Sequence, residues 1–172
     1  KQDYVGALED FNRALEITPD EARPYLGRGA AYLRQGKSKE ALADFDKAIT
    51  LAPGRASFYF ERGSAFHRVE DYKHAIADYT EAIRLEPKEP LTYINRGMAE
   101  IFVGKVDDAI EDFDSALRIS PDDVNALIQR GFAYGLKKDF GSAFADNSRA
   151  LEIAPDNPTA LFYRGQIESL RG

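Results

Sequence analysis

The chain has 172 residues with 44% hydrophobic and 30% charged residues, a formal net charge of −6 and no cysteine. Such an acidic balance argues against a general affinity for nucleic acid or anionic membrane, which needs a basic footprint, and the missing cysteine excludes a disulfide framework, a thiolate metal site and a cysteine nucleophile. No apolar run approaches the ~20 residues needed for membrane insertion. No charged-then-apolar leader opens the chain, although it starts in mid-repeat and a leader upstream is not ruled out; the compartment stays open, with the cytoplasm as default.

Residues 1–21 read as the back half of a repeat: a turn at 1–4, a helix carrying Ala7, Leu8, Phe11, Ala14, Leu15 and Ile17, then Pro19. The apolar spacing i, i+3, i+4, i+7 is that of an amphipathic helix. Four full repeats follow at 22–55, 56–89, 90–123 and 124–157, and 158–172 forms the front half of a sixth. A shift of 34 residues superposes Ala7, Ala41, Ala75, Ala109 and Ala143, and likewise Pro19, Pro53, Pro87, Pro121 and Pro155. Self-similarity at this fixed period marks a solenoid whose repeats bury their apolar faces on one another. Front helices are expected near 22–35, 56–69, 90–103, 124–137 and 158–171. Back helices are expected near 5–17, 38–51, 72–85, 106–119 and 140–153, each closed by a proline that cannot continue it. Gly36 and Gly104 mark two of the intervening turns. Without a linker or a change of composition, 1–172 reads as a single domain.

Gly29, Gly63, Gly97, Gly131 and Gly165 fall inside front helices, where each costs about 1 kcal/mol relative to alanine. Their recurrence implies close approach of the antiparallel back helix, whose small residues include Ala41 and Ala48. Large side chains such as Tyr59 and Tyr79 fill the space on either side. In 56–89 the pattern falls on Tyr59, Gly63, Phe66, Ala75, Tyr79, Ala82 and Pro87, and it resembles the tetratricopeptide repeat family along essentially the whole chain. Departures are an arginine before each glycine (Arg28, Arg62, Arg96, Arg130, Arg164), Glu100 and Glu168 at an aromatic position, Asn147 at another, and Leu127 and Leu161 in place of the first tyrosine. These suggest looser or differently packed hairpins toward the C-terminus. The resemblance implies an all-α, right-handed α-solenoid of helix-turn-helix repeats whose front helices line a concave groove. It also implies a scaffold that binds a peptide or protein partner and does no chemistry itself.

The period also locks Asp10, Asp44, Asp78, Asp112 and Asp146 to the arginines. Opposite charges in register suggest pairing, either within a repeat (Arg28 with Asp44) or between repeats (Asp10 with Arg28); spacing does not decide. The other carboxylates, for example Asp107, Asp108 and Glu111, and Asp112 among them, read as solvated helix faces. On the third face of the front helices Leu26, Phe60, Ile94, Ile128 and Phe162 recur, joined by Leu33, Met98, Ile101, Phe102, Phe132, Leu136 and Tyr163. Asn95 and Gln129 sit beside them. Exposed apolar surface of this kind reads as an interaction site; the alternative is that adjacent front helices use these residues on each other. The peptide-binding expectation therefore rests on Leu26, Leu33, Phe60, Ile94, Asn95, Met98, Ile101, Ile128, Gln129, Phe132 and Phe162.

Some relatives grip a chaperone C-terminal carboxylate with a basic and amide clamp. Asn95 matches one clamp asparagine, but Phe60, Ser64, Asn125 and Gln129 occupy the flanking positions. No catalytic residue, metal site or cofactor is expected. His67 and His74 lack further ligands, Gly27–Arg28–Gly29 lies in a helix with no strand before it, and proline spoils Asn157–Pro158–Thr159 as a glycosylation acceptor. A second expectation is end-to-end self-association, with residues 158–171 of one chain docking on 5–17 of another; the preferred alternative is that the two half repeats are the cut ends of a longer array.

Overall fold

The computed structural model describes residues 4–171 as ten α-helices and, among the described residues, no strand. The turn expected at 1–4 lies, Tyr4 apart, outside them. The chain divides into two compact units, Lys1–Pro87 and Lys88–Gly172. The first holds α1 (Tyr4–Ile17), α2 (Ala22–Arg34), α3 (Ser38–Leu51), α4 (Ala56–Arg68) and α5 (Tyr72–Leu85). The second holds α6 (Pro90–Phe102), α7 (Val106–Ile119), α8 (Val124–Leu136), α9 (Phe140–Ile153) and α10 (Pro158–Arg171). Even-numbered helices are the expected front helices and odd-numbered ones the back helices.

Each hairpin turns through the same backbone device. Residues 36, 70, 104 and 138 all take positive φ: Gly36 at 78°, Glu70 at 63°, Gly104 at 81° and Lys138 at 62°. The N–H that follows bonds back to the front helix: Lys37 to the Tyr32 carbonyl and Lys105 to that of Glu100, both at 2.9 Å. This is the left-handed helix end that glycine tolerates best. Asp71, Asp123 and Asp139 then cap the helices that follow, accepting from the N–H of His74, Ala126 and Ser142 respectively.

In the first unit α2 packs on α3 and α4 on α5, while α1 meets α2, α3 meets α4, and the front helices α2 and α4 touch. In the second, α6 pairs with α7 and α8 with α9; α7 meets α8, α9 meets α10, and the front helices α6, α8 and α10 touch in sequence. The close hairpin expected from glycine is present. A Cβ added at Gly29 would sit 2.7 Å from the Phe45 ring and 3.2 Å from the Ala41 carbonyl oxygen, and one at Gly97 2.8 Å from the Phe113 ring. The neighbour that requires glycine is thus the back-helix aromatic ring, together with the carbonyl of the alanine before it.

The period-locked charges pair within the repeat. Arg28 donates Nε and Nη2 to the two Asp44 oxygens at 2.8 and 2.7 Å, and Arg62–Asp78, Arg96–Asp112 and Arg130–Asp146 repeat the fork. The remaining Nη1 of Arg28, Arg62 and Arg130 reaches the preceding back helix, at Asn12, Asp46 and Asp114. Asp10 is exposed and takes no part in these forks. Asp112, expected on a solvated face, is buried. The guanidinium thereby ties three helices together, and its plane lies near the aromatic rings on the same helix, for example 5.8 Å from the Tyr59 centroid.

Candidate binding surface

The front-helix face turned away from these charge forks follows the spacing i, i+3, i+4, i+7, i+10, i+11. On α6 it comprises Leu91, Ile94, Asn95, Met98, Ile101 and Phe102; on α8, Asn125, Ile128, Gln129, Phe132, Gly135 and Leu136; on α10, Thr159, Phe162, Tyr163, Gln166, Ser169 and Leu170. None of these carries a formal charge. The same positions on α2 and α4 include Arg23, Arg34, Glu61, His67 and Arg68. The two units therefore present different chemistry from the same register.

The predicted residues divide by burial. Ile94 (1% exposed), Ile128 (4%) and Leu33 (8%) are core residues, contrary to the expectation that they line an open surface. Ile94 and Ile128 belong to the cluster built on Phe113, Leu117, Leu127 and Leu151, with Met98, Ile101 and Tyr163 packed on it; Leu33 joins Phe45 and Ala65. The cause is that neighbouring front helices touch, so side chains on the seam between them are used up in packing. Leu26, Phe60, Asn95, Met98, Ile101, Gln129 and Phe132 are half-buried, and the Phe60 ring lies 5.9 Å from Tyr79. Phe162, whose ring lies 5.6 Å from that of Tyr163, is 59% exposed, and Phe102 and Leu136 are 60% and 48% exposed.

Hollows remain between the front helices. A cavity of about 690 Å³ between α2 and α4 is lined by Arg23, Leu26, Gly27, Ala30, Arg55, Phe58 and Glu61, among others. Burial raises the Glu61 carboxyl above its ordinary value, with the Arg34 charge opposing. A hollow of about 330 Å³ lies in the same register between α8 and α10, lined by Asn125, Ile128, Gln129, Asn157 and Thr159. Gln129 donates weakly to Asn125 at 3.4 Å, and the Asn157 oxygen caps α10 by accepting from the N–H of Thr159 and Ala160. A third, apolar cavity of about 150 Å³ sits beside Gly135. Sequence reasoning missed it. The available signal was a helical glycine off the 34-residue period.

Of the two histidines, His74 holds Asp71 at 2.7 Å and stacks on Phe66, while His67 meets the edge of Tyr72 and is held below its usual value by burial. Among the described residues no group of three or more His, Asp or Glu side chains is arranged to hold a metal ion, and no helix is long and apolar enough to cross a membrane.

No curated protein matches the chain significantly. Among solved structures it is similar to MamA, at 26% identity over 89% of this chain and 90% of that one, with a TM-score of 0.84. It shares its fold with YrrB, a TPR protein with an unusual peptide-binding site, at 24% identity over 95% and 84% with a TM-score of 0.83. It is also similar to the first TPR of Spaghetti (RPAP3) bound to the HSP90 peptide SRMEEVD, at 26% identity over 69% of this chain and 94% of that one, with a TM-score of 0.66. The "TPR repeat" signature matches residues 1–36, and "Tetratricopeptide repeat" signatures match 22–55, 56–89 and 94–158. With its hairpins, its glycine contacts and these matches in agreement, the chain belongs to the tetratricopeptide repeat family.

Proposed function

We propose that the chain is a non-catalytic protein-interaction scaffold that holds a peptide or partner segment in a concave groove lined by its front helices. The observation that carries the reading is the uncharged face of α6, α8 and α10, on which Leu91, Phe102, Leu136 and Phe162 are 50%, 60%, 48% and 59% exposed. Apolar surface of this extent costs free energy in water and is retained where a partner covers it. The peptide-bound RPAP3 relative supports the class, and repeats of this family act typically as scaffolds. The unbroken period supports reading 1–172 as one array, with the half repeats 1–21 and 158–172 flanking four full ones.

The surface differs from a carboxylate clamp. In the clamp register Phe60 and Ser64 precede Asn95, and Asn125 and Gln129 follow where lysine and arginine would be wanted, so the favoured partner is apolar and uncharged. Selection from a displayed random-peptide library tests this. The parent enriches uncharged segments with large apolar side chains, and the variant F102S/F162S, altered only at exposed positions, loses them with its helicity intact. Enrichment that survives both substitutions refutes the site.

A second reading is end-to-end self-association, with 158–171 of one chain docking on 5–17 of another. Light scattering against concentration shows growing mass if this contact forms and constant mass if it does not.

A further inference from the structure

Gly135 lies in the last turn of α8 and has neither of the usual reasons to be glycine. Its backbone is helical; the positive-φ glycines among the described residues are Gly36 and Gly104. A Cβ at Gly135 would meet nothing within 4 Å, whereas one at Gly131, a turn earlier, would strike the Asn147 amide nitrogen at 2.5 Å. The superposed positions hold Leu33, His67, Ile101 and Ser169. What the absent side chain leaves is the cavity of about 150 Å³, walled by Phe132, Leu136 and Phe140 on one side and by Tyr163, Ile167 and Leu170 of α10 on the other.

We infer that this cavity is a socket for one benzene-sized apolar side chain, a phenylalanine or leucine, presented by the partner segment. The inference rests on the scaffold reading above and names the partner's chemistry at one point. Size supports it, because an apolar cavity of about 150 Å³ admits a benzene ring. Charge supports it too: no formally charged residue lines the cavity, whose polar lining includes the Gln166 amide, so a lysine or aspartate entering it would lose hydration without gaining an opposite charge. The Phe132 and Tyr163 rings, 5.5 Å apart and tilted by 35°, form an aromatic wall, and Leu136 and Leu170, 48% and 64% exposed, flank the mouth. Gly165, whose register in other repeats meets the back helix, is not part of the lining, so the socket lies on the partner-facing side of α10.

The test is a methyl NMR titration of the whole chain, following Leu136, Ile167 and Leu170, with N-acetyl-phenylalaninamide, N-acetyl-aspartamide and decanoate as probes. The phenylalanine probe should give saturable shifts, and the aspartate probe should bind weaker by about tenfold or more. The variant G135L, which fills the socket from within, should melt no lower than the parent and lose the phenylalanine probe by a similar factor. If G135L folds poorly, L170D at the exposed mouth provides the same readout. The socket is refuted by the absence of saturable shifts, by unchanged binding in the folded variant, or by decanoate binding without the phenylalanine probe, which would assign the cavity to an acyl chain. Library segments captured equally by the parent and G135L would remove the socket and leave the scaffold reading standing; segments captured by neither would remove the scaffold reading itself.

Discussion

The fork between Arg62 and Asp78 gives the sharpest energetic expectation. Asp78 is 7% exposed at its side chain and Arg62 22%, and both fork bonds are short, at 2.8 and 2.7 Å. Hydrogen bonding to Asp78 raises the Arg62 guanidinium above its ordinary value against the opposing effect of burial, with Asp46 adding to it. Removing one partner of such a pair leaves a buried charge uncompensated, which costs about 3–5 kcal/mol when burial is complete. In R62M the stranded group is the more buried Asp78, so a loss of about 3 kcal/mol is expected. In D78L the arginine keeps Asp46 at 2.7 Å, itself 62% exposed, and the loss falls to about 2 kcal/mol. The double variant R62M/D78L removes both charges and adds apolar contact, and should lie within about 2 kcal/mol of the parent, giving a coupling of at least about 3 kcal/mol. Urea unfolding followed by far-UV circular dichroism measures all four proteins. An unchanged m-value checks that cooperativity is retained, as repeat proteins require. Additive single losses, or singles below about 1 kcal/mol, would show that the fork contributes geometry and little energy.

Burial, reinforced by the Asp112 carboxylate and partly offset by Arg96, raises the Glu100 carboxyl to about 7. The folded chain then keeps a proton that the unfolded chain releases near its ordinary value, so stability falls as pH rises from about 4.5 to about 7. Thermal melts across that window should show a shallower fall for E100Q, and above pH 7 the variant should exceed the parent by about 1–3 kcal/mol. Glu70 and Lys138 occupy the left-handed turn position that Gly36 and Gly104 fill elsewhere; E70G and K138G should each gain about 0.5–1 kcal/mol in denaturant titration, unless the freer unfolded chain cancels the relief. The peptide SRMEEVD should bind no better than a scrambled control by calorimetry, because asparagine and glutamine, Asn125 and Gln129, occupy the clamp positions that call for lysine and arginine.

Helix positions and the hairpin were legible because period, glycine and proline all reported the same backbone. The observed front helices end a residue or so before the predicted bounds, where the left-handed turn begins. Charge pairing was legible as a set of partners but not as a geometry: only coordinates show that one guanidinium spans its own aspartate and the preceding back helix. The surface was harder to read. Ile94 and Phe162 occupy the same register, yet one is 1% and the other 59% exposed, because Ile94 packs in a cluster with residues of the helices that follow α6 while Phe162 lies on the last helix of the chain. Hydrophobic periodicity identifies a face and does not distinguish the part of it consumed by a neighbouring helix. Gly27 shows the converse. A Cβ there would sit 2.4 Å from the Phe11 ring, a packing cause that its linear context beside Arg28 and Gly29 conceals.

Of the three polar replacements at aromatic positions, Glu168 is exposed, while Asn147 and Glu100 are buried and show how much chemistry the repeat tolerates. Asn147 is fully buried in place of a ring; its Nδ2 donates to the Ala143 carbonyl at 2.8 Å, while its Oδ1 has no partner. The amide nitrogen occupies the space against Gly131 that a ring fills in other repeats, so the close helix approach survives at the cost of one unsatisfied acceptor. Glu100 likewise leaves one carboxylate oxygen buried and unpaired. Asn147 and Glu100 both fall in the second unit, where the front-helix face that carries Leu91, Phe102, Leu136 and Phe162 has no formal charge. Polarity there has been placed inside the hairpins and kept off the exposed face. Selection for stability or solubility alone would favour the opposite distribution. The proposed partner would cover that exposed apolar face.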